Sequence, residues 1–172
     1  SSPPPQEAPG PLAPRQLERT FEVMAHSFVY WTRALHDAGV LAPGARILGL
    51  TNPMGDSVLR GTAAIAASKA ALEIYARHLA FELGPFGYRV NLVKYGGVLS
   101  PAVEHTFAGP ALERLPAVTT QVSPAGRMCT VEEVAGLVCF LASPAGGWFN
   151  GATIDFTGAE FMGLYDALIH PR

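Results

Sequence analysis

Three short aliphatic runs, 46–51 (RILGLT), 88–94 (YRVNLVK) and 152–156 (ATIDF), are separated by stretches far too long for hairpin turns. What lies between them carries helical signals. Ahead of the first run, Leu17, Phe21, Met24, Phe28, Trp31 and Leu35 recur in steps of three and four, which predicts a long helix from about Arg15 to Gly39. Between the first and second, an alanine-rich segment predicts a helix over 62–83, with Gly84 and Pro85 supplying the stop. After the second run comes an irregular stretch containing Gly and Pro. Thr130-Val-Glu-Glu133 then forms a capping box that starts a helix through about Leu141, ended by Pro144 and Gly146-Gly147. Strands joined through helices lie parallel, so the expected fold class is α/β with helices on both faces of the sheet.

Length and hydrophobic content, 172 residues and 49%, suit one domain with a real core. The 12 basic and 14 acidic residues make only 15% of the chain against a usual figure of about 25%, so part of the surface should be covered by a subunit interface or a missing neighbour. A net charge of −2 and a pI near 6.2 give no electrostatic footprint for nucleic acid or an anionic membrane. Cys129 and Cys139 stand ten apart with no Cys-x-x-Cys, which suggests neither a disulfide framework nor a zinc site and points to a reducing, cytoplasmic compartment. The apolar run 134–142 falls far short of the roughly 20 residues of a membrane span, and no basic-then-apolar signal opens the chain. Six of the first fourteen residues are proline, so residues 1–14 are expected to form an arm or linker and 15–172 the folded part.

Common chemical motifs are missing. No glycine pair is spaced Gly-x-Gly, no Gly-Lys pair exists, and neither a His-Glu-x-x-His nor a Gly-x-Ser-x-Gly pattern occurs. The five histidines are scattered without metal-ligand spacing, so no metal is expected. The informative segment is 63–73, AAIAASKAALE, where Lys69 interrupts a small, apolar helical surface. Such a lysine is ordinarily a solvated side chain passing over alanines. Here the small neighbours would let a flat ligand approach, and the strands RILGLT and YRVNLVK would both end at the same crevice, where a cation could hold ribose hydroxyls.

ASKAALE with Lys69, ELGPFGYRVNLV (82–93), GGVLSP (96–101), GRMCTVEEVAGLVCFLAS (126–143) and NGATIDFTGA (150–159) together resemble the short-chain dehydrogenase/reductases, most closely their enoyl-acyl-carrier-protein reductases. The resemblance covers nearly everything after the proline arm. It implies a Rossmann-like doubly wound sheet, NAD or NADP as cofactor, an enoyl-thioester or carbonyl substrate and a place in fatty acid biosynthesis. It also implies that Lys69 binds the nicotinamide ribose and tunes a tyrosine acid, and that Gly96, Gly97, Val98 and Ser100 form the loop that meets the nicotinamide. The tyrosine is missing: Ile65 stands four residues before Lys69 and Thr62 seven before, the two places where the family carries it. A threonine hydroxyl is far too weak an acid to replace a phenol, though with Asn52, seventeen residues before Lys69, it could polarise a substrate oxygen. Plain structural roles compete: Thr62 as a helix cap after Gly61, Asn52-Pro53 as a turn, Gly96-Gly97 as a strand exit.

Two functions remain open on this reading. One is an NAD(P)H-dependent reductase, subunit or fragment, with a compromised site; the other is a non-catalytic partner that stabilises or regulates an active homologue. The helices at 15–38 and 62–83 resemble those of the family's four-helix dimer interface, so a homo- or hetero-oligomer is expected. Aligned on its motifs, the chain begins just after the family's fourth strand. It would then hold about three strands, lack the Gly-rich phosphate-binding part, and leave strand 46–51 with an unpaired edge that another chain or segment must cover. The stretch 102–124, with Phe107, Leu112 and Leu115, corresponds to the family's substrate lid and suggests an apolar substrate.

Overall fold

A computed structural model describes residues 13–106, 109–163 and 169–170. The expected arm lies outside the described residues as far as residue 12. Pro14 is already helical: it occupies the first turn of α1 (Pro14–Phe21), where its missing N–H costs nothing. The helix runs on through a π turn, Glu22–His26, into α2 (Ser27–Asp37), and Gly39 at φ 65° ends it in the left-handed conformation.

Three parallel strands follow in the order β1 (Arg46–Thr51), β2 (Arg89–Tyr95), β3 (Thr153–Phe156), with β2 in the middle. Arg46 lies opposite Arg89 and Thr51 opposite Lys94, while Leu92 faces Thr153 and Tyr95 faces Phe156. The side chains of β2 alternate between two cores. Val90 and Leu92 pack with Leu72, Ala76, Leu79 and Leu83 of α3 (Ala63–Leu83) and with Ala25 of the π turn. Val93 packs with Val98 and with Val134 and Leu141 of α6 (Val131–Ala142). Helices thus cover both faces, as the spacing of the aliphatic runs requires.

Two asparagines fix β3 against β2. Asn91 donates to Phe149 O (2.9 Å) and accepts from Ala152 N (3.0 Å), while Asn150 accepts from Val90 N and donates to Ala80 O, both at 3.0 Å. The capping box of α6 forms as expected: Thr130 Oγ1 accepts from Glu133 N, and Glu133 Oε2 accepts from Thr130 N.

The stretch expected to be irregular is instead largely helical, as α4 (Pro101–Thr106) and α5 (Pro110–Val122). Its prolines read as breakers, yet Pro101 and Pro110 open their helices, where proline is favourable, and Pro116 removes a single backbone bond from α5. Phe107 lies outside the described residues.

One edge of the sheet is open. Arg89 N–H donates to Ala45 O (3.0 Å), so by strand alternation residues 45, 47, 49 and 51 address β2, while Arg46, Leu48 and Leu50 turn their N–H and C=O groups the other way. No strand pairs with that side among the described residues. Beside it runs a groove of about 480 Å³ lined by Met24, Phe28, Trp31, Leu35, Leu48 and Leu50 among others. The apolar stripe of the first helix therefore forms one face as expected, but Trp31 is 69% exposed because that face overlooks the groove.

Candidate functional site

Lys69 stands on α3, and its Nζ donates to Leu50 O at 3.3 Å. That carbonyl belongs to the open edge, so the ammonium caps a sheet group with no strand partner among the described residues. Burial holds the Lys69 ammonium below its ordinary value. Three donors and one such acceptor leave two N–H groups for a ligand.

Asn52 follows β1 directly. Its Oδ1 accepts from Met54 N (3.2 Å), closing an Asx turn over the short 3₁₀ segment Pro53–Gly55. Gly55 seats this turn against α3: a Cβ there would lie 3.5 Å from Ala70 N and 3.8 Å from Lys69 Cβ. Asn52 and Lys69 are thereby brought to the same end of β1. Thr62 occupies the N-cap position of α3, but its side chain makes no capping bond; its hydroxyl donates to Leu59 O (2.9 Å) and is buried. Seven residues separate it from Lys69, about 10 Å along the helix axis.

The Gly96–Ser100 loop leaves β2 toward the α6 side of the sheet. Val98 is buried against Val134 and Leu141. Gly97 N–H donates to Glu160 Oε2 (2.7 Å), and Gly97 O accepts from Cys129 N (3.1 Å). Ser100 Oγ accepts a long bond from Val103 N (3.4 Å), and its carbonyl accepts from Glu104 N (3.0 Å), so this serine begins α4. The backbone N–H and C=O of Val98 carry no bond among the described residues.

Between the two groups lies an ion cluster at the end of β2. The Lys94 ammonium pairs with Asp56 and, at 3.0 Å, with Glu73 Oε1. Burial by itself would lower this lysine, but its hydrogen bonds to Asp56 and Glu73 prevail and its pKa is raised. Glu73 sits one turn beyond Lys69 on α3, and Asp56 belongs to the loop that carries Asn52. Lys94 thus ties that loop and α3 to the sheet.

A family profile described as enoyl-(acyl carrier protein) reductase matches residues 9–158. The chain belongs to the short-chain dehydrogenase/reductases. It is 38% identical to an NADPH-dependent aldehyde reductase-like protein of Arabidopsis thaliana over 67% of this chain and 41% of the relative. With the 1-cyclohexenylcarbonyl-CoA reductase of Streptomyces collinus it shares 28% identity over 86% of this chain and 51% of the relative. Among solved structures, an angucycline C-6 ketoreductase with bound NADP superposes with a TM-score of 0.76 at 28% identity, covering 91% of this chain and 58% of that one. The NADH-dependent enoyl-acyl-carrier-protein reductase of Aquifex aeolicus shares the fold, with a TM-score of 0.78 at 23% identity. The chain spans about half the length of these relatives.

Within this reductase framework, two groups escape sequence reasoning. Glu160 is a lone acid in the uncharged segment FTGAEFMG, and nothing in the spacing says that it folds back onto Gly97. The signal for Lys94 is weak: a lysine near the end of a strand that already holds Arg89 and Asn91. No helix among the described residues is long and apolar enough to cross a membrane.

Proposed function

We propose that this chain supplies the nicotinamide-side part of an NAD(P)H-dependent reductase acting on an enoyl-thioester or carbonyl substrate. The observation that carries this reading is the half-buried Lys69 ammonium, held beside Asn52 at the end of β1 with donors to spare. When bound, the nicotinamide cofactor supplies the hydride. The chain's residues suit only one end of such a cofactor: Lys69 can hold ribose hydroxyls, and the unengaged backbone of Val98 can meet a carboxamide. Gly96 shapes the loop, Gly97 serves it internally and Ser100 anchors its far side. Asn52 has amide donors that could orient a substrate oxygen, because only its Oδ1 is engaged in the turn. Thr62 is a poor candidate for the same task, since its hydroxyl is tied to Leu59 O.

Nothing among the described residues cradles a pyrophosphate, so the proposal includes strands supplied alongside β1, from the rest of a polypeptide or from a partner subunit. The Streptomyces relative is an acyl-CoA reductase and the solved ketoreductase binds NADP, in keeping with a thioester or carbonyl substrate and with either nicotinamide coenzyme. A role in fatty acid biosynthesis, a cytoplasmic location and oligomerisation through the helices at 14–37 and 63–83 belong to the same proposal. On those helices Val23, Tyr30, Ile74 and Phe81 are exposed.

A second reading, a non-catalytic subunit supporting an active homologue, is favoured by the absence of a phenol at positions 62 and 65. Fluorescence titration with NADH and NADPH separates the two, on the chain alone and on the chain assembled with the strands that complete its sheet. Saturable binding that weakens about tenfold or more in Lys69→Ala is expected from the loss of charge-assisted hydrogen bonds. No binding in the assembled form would leave the scaffold reading standing.

A further inference from the structure

Gly97 is held at both of its backbone polar groups, which belong to the two peptide planes that flank it. Its N–H meets Glu160 Oε2 and its carbonyl meets Cys129 N–H, both contributed by segments distant in sequence. There is no room to spare around it. A Cβ on Gly97 would stand 2.6 Å from Thr119 Cγ2, and a Cβ on Gly96 would collide with Glu160 Oε2. Glu160 is only 8% exposed and has no ion pair among the described residues. The turn that carries it is anchored in its own right: Asp155 Oδ1 accepts from Thr157 N (2.9 Å) and Thr157 Oγ1 (2.7 Å), and Glu160 N donates to Thr157 O (3.3 Å).

A desolvated carboxylate with one backbone donor is a costly way to add stability, since a neutral side chain would avoid the desolvation. What the contact does provide is a fixed orientation for the Gly96–Gly97 peptide plane, next to the Gly97–Val98 plane whose carbonyl Cys129 N–H holds. The next residue, Val98, is buried and, like Leu99, has backbone groups that carry no bond among the described residues.

We propose that Glu160 is a positioning residue: its carboxylate fixes the Gly96–Gly97 peptide and, together with Cys129 N–H on the Gly97 carbonyl, orients the Val98 backbone for the nicotinamide, setting cofactor affinity without touching the cofactor. The inference rests on the proposed reductase function. Its structural half, the clamp on Gly97, can be measured separately.

Hydrogen exchange and NADPH titration on the assembled protein test both halves. In Glu160→Ala, exchange across residues 96–100 should rise about tenfold or more as a charge-assisted bond is lost, and NADPH should bind several-fold more weakly. Glu160→Gln keeps an acceptor oxygen and should restore most of the protection and affinity. Gly96→Ala supplies a check independent of acid removal. It should disturb the loop by displacing Glu160, and its effect should shrink in the Glu160→Ala background, where the nearer obstructing oxygen is gone and Thr157 O at 3.1 Å remains. Unchanged exchange in Glu160→Ala, or strict additivity of the two substitutions, would overturn the clamp. Raised exchange with unaltered NADPH affinity would overturn the positioning role. Absence of NADPH binding by the parent protein would instead count against the reductase reading, with the exchange result unaffected.

Discussion

Glu133 shows how much of this fold is settled by single side chains. It closes the capping box at the start of α6 and accepts two bonds from Arg127, at 2.7 and 2.9 Å. The Arg127 guanidinium, followed by the Thr130 N–H, holds its carboxyl well down, to about 2 from an ordinary 4.5. A carboxylate with a depressed folded pKa adds stability that is fully present above 4.5 and is lost as pH falls toward 2. The group is exposed and its contribution is correspondingly screened. Thermal unfolding followed from pH 6 down to pH 2.5 should therefore lose a small acid-dependent component in Glu133→Gln, and Arg127→Met should reproduce it. An identical pH slope in the parent and both variants would show that the cluster is neutral. The capping box of this site was legible in the sequence, because it is a local pattern; the Arg127 pair was not. Glu160 was not, because its partner lies 63 residues away and only the folded sheet brings them together.

Elements were legible for a similar reason: period and length identify β1, β2, β3, α3 and α6 from neighbouring residues alone. The stretch between β2 and Thr130 reads as irregular because of its glycines and prolines, yet Pro101 and Pro110 open helices there, since proline is equally a starter. Less visible was the tie between elements made by Lys94, whose side chain joins β2 to Glu73 on α3 and to Asp56 in the following-strand loop. Lys94 and Glu73 are 13% and 18% exposed, so removing one leaves the other poorly solvated, whereas Asp56 at 61% can turn to water. Lys94→Met should cost about 2–3 kcal/mol in chemical denaturation, near the lower end for a broken buried pair. Lys94→Met with Glu73→Gln should recover part of that loss, because no buried charge is then left alone. If the double substitution is as unstable as the sum of its parts, packing of the lysine stem and not the ion pair holds the elements together.

On the scale of the whole molecule, the feature that matters most is the open edge of the sheet. β1 has outward N–H and C=O groups at residues 46, 48 and 50, with an apolar groove beside them and Lys69 on the last carbonyl. A parallel strand laid along this edge would offer an N–H to Leu50 O, beside the Lys69 ammonium already on it. The second lone pair of that carbonyl can still accept from Lys69, so the edge of a completed sheet and the proposed site would share one oxygen. Unpaired, the same edge is an aggregation hazard of the kind natural sheets blunt with lysine. Leu50 is half exposed and its outward backbone makes no bond to β2, so Leu50→Lys should cost less than about 1 kcal/mol while discouraging edge-to-edge contact. Light scattering of the chain alone across a concentration series should show self-association that falls in Leu50→Lys. The substitution should also weaken assembly with any sheet-completing strand, read as a lower yield of co-purified complex. If self-association persists unchanged, the exposed helix faces that carry Tyr30 and Phe81 are the surfaces that drive it, and the open edge is already protected in the free chain.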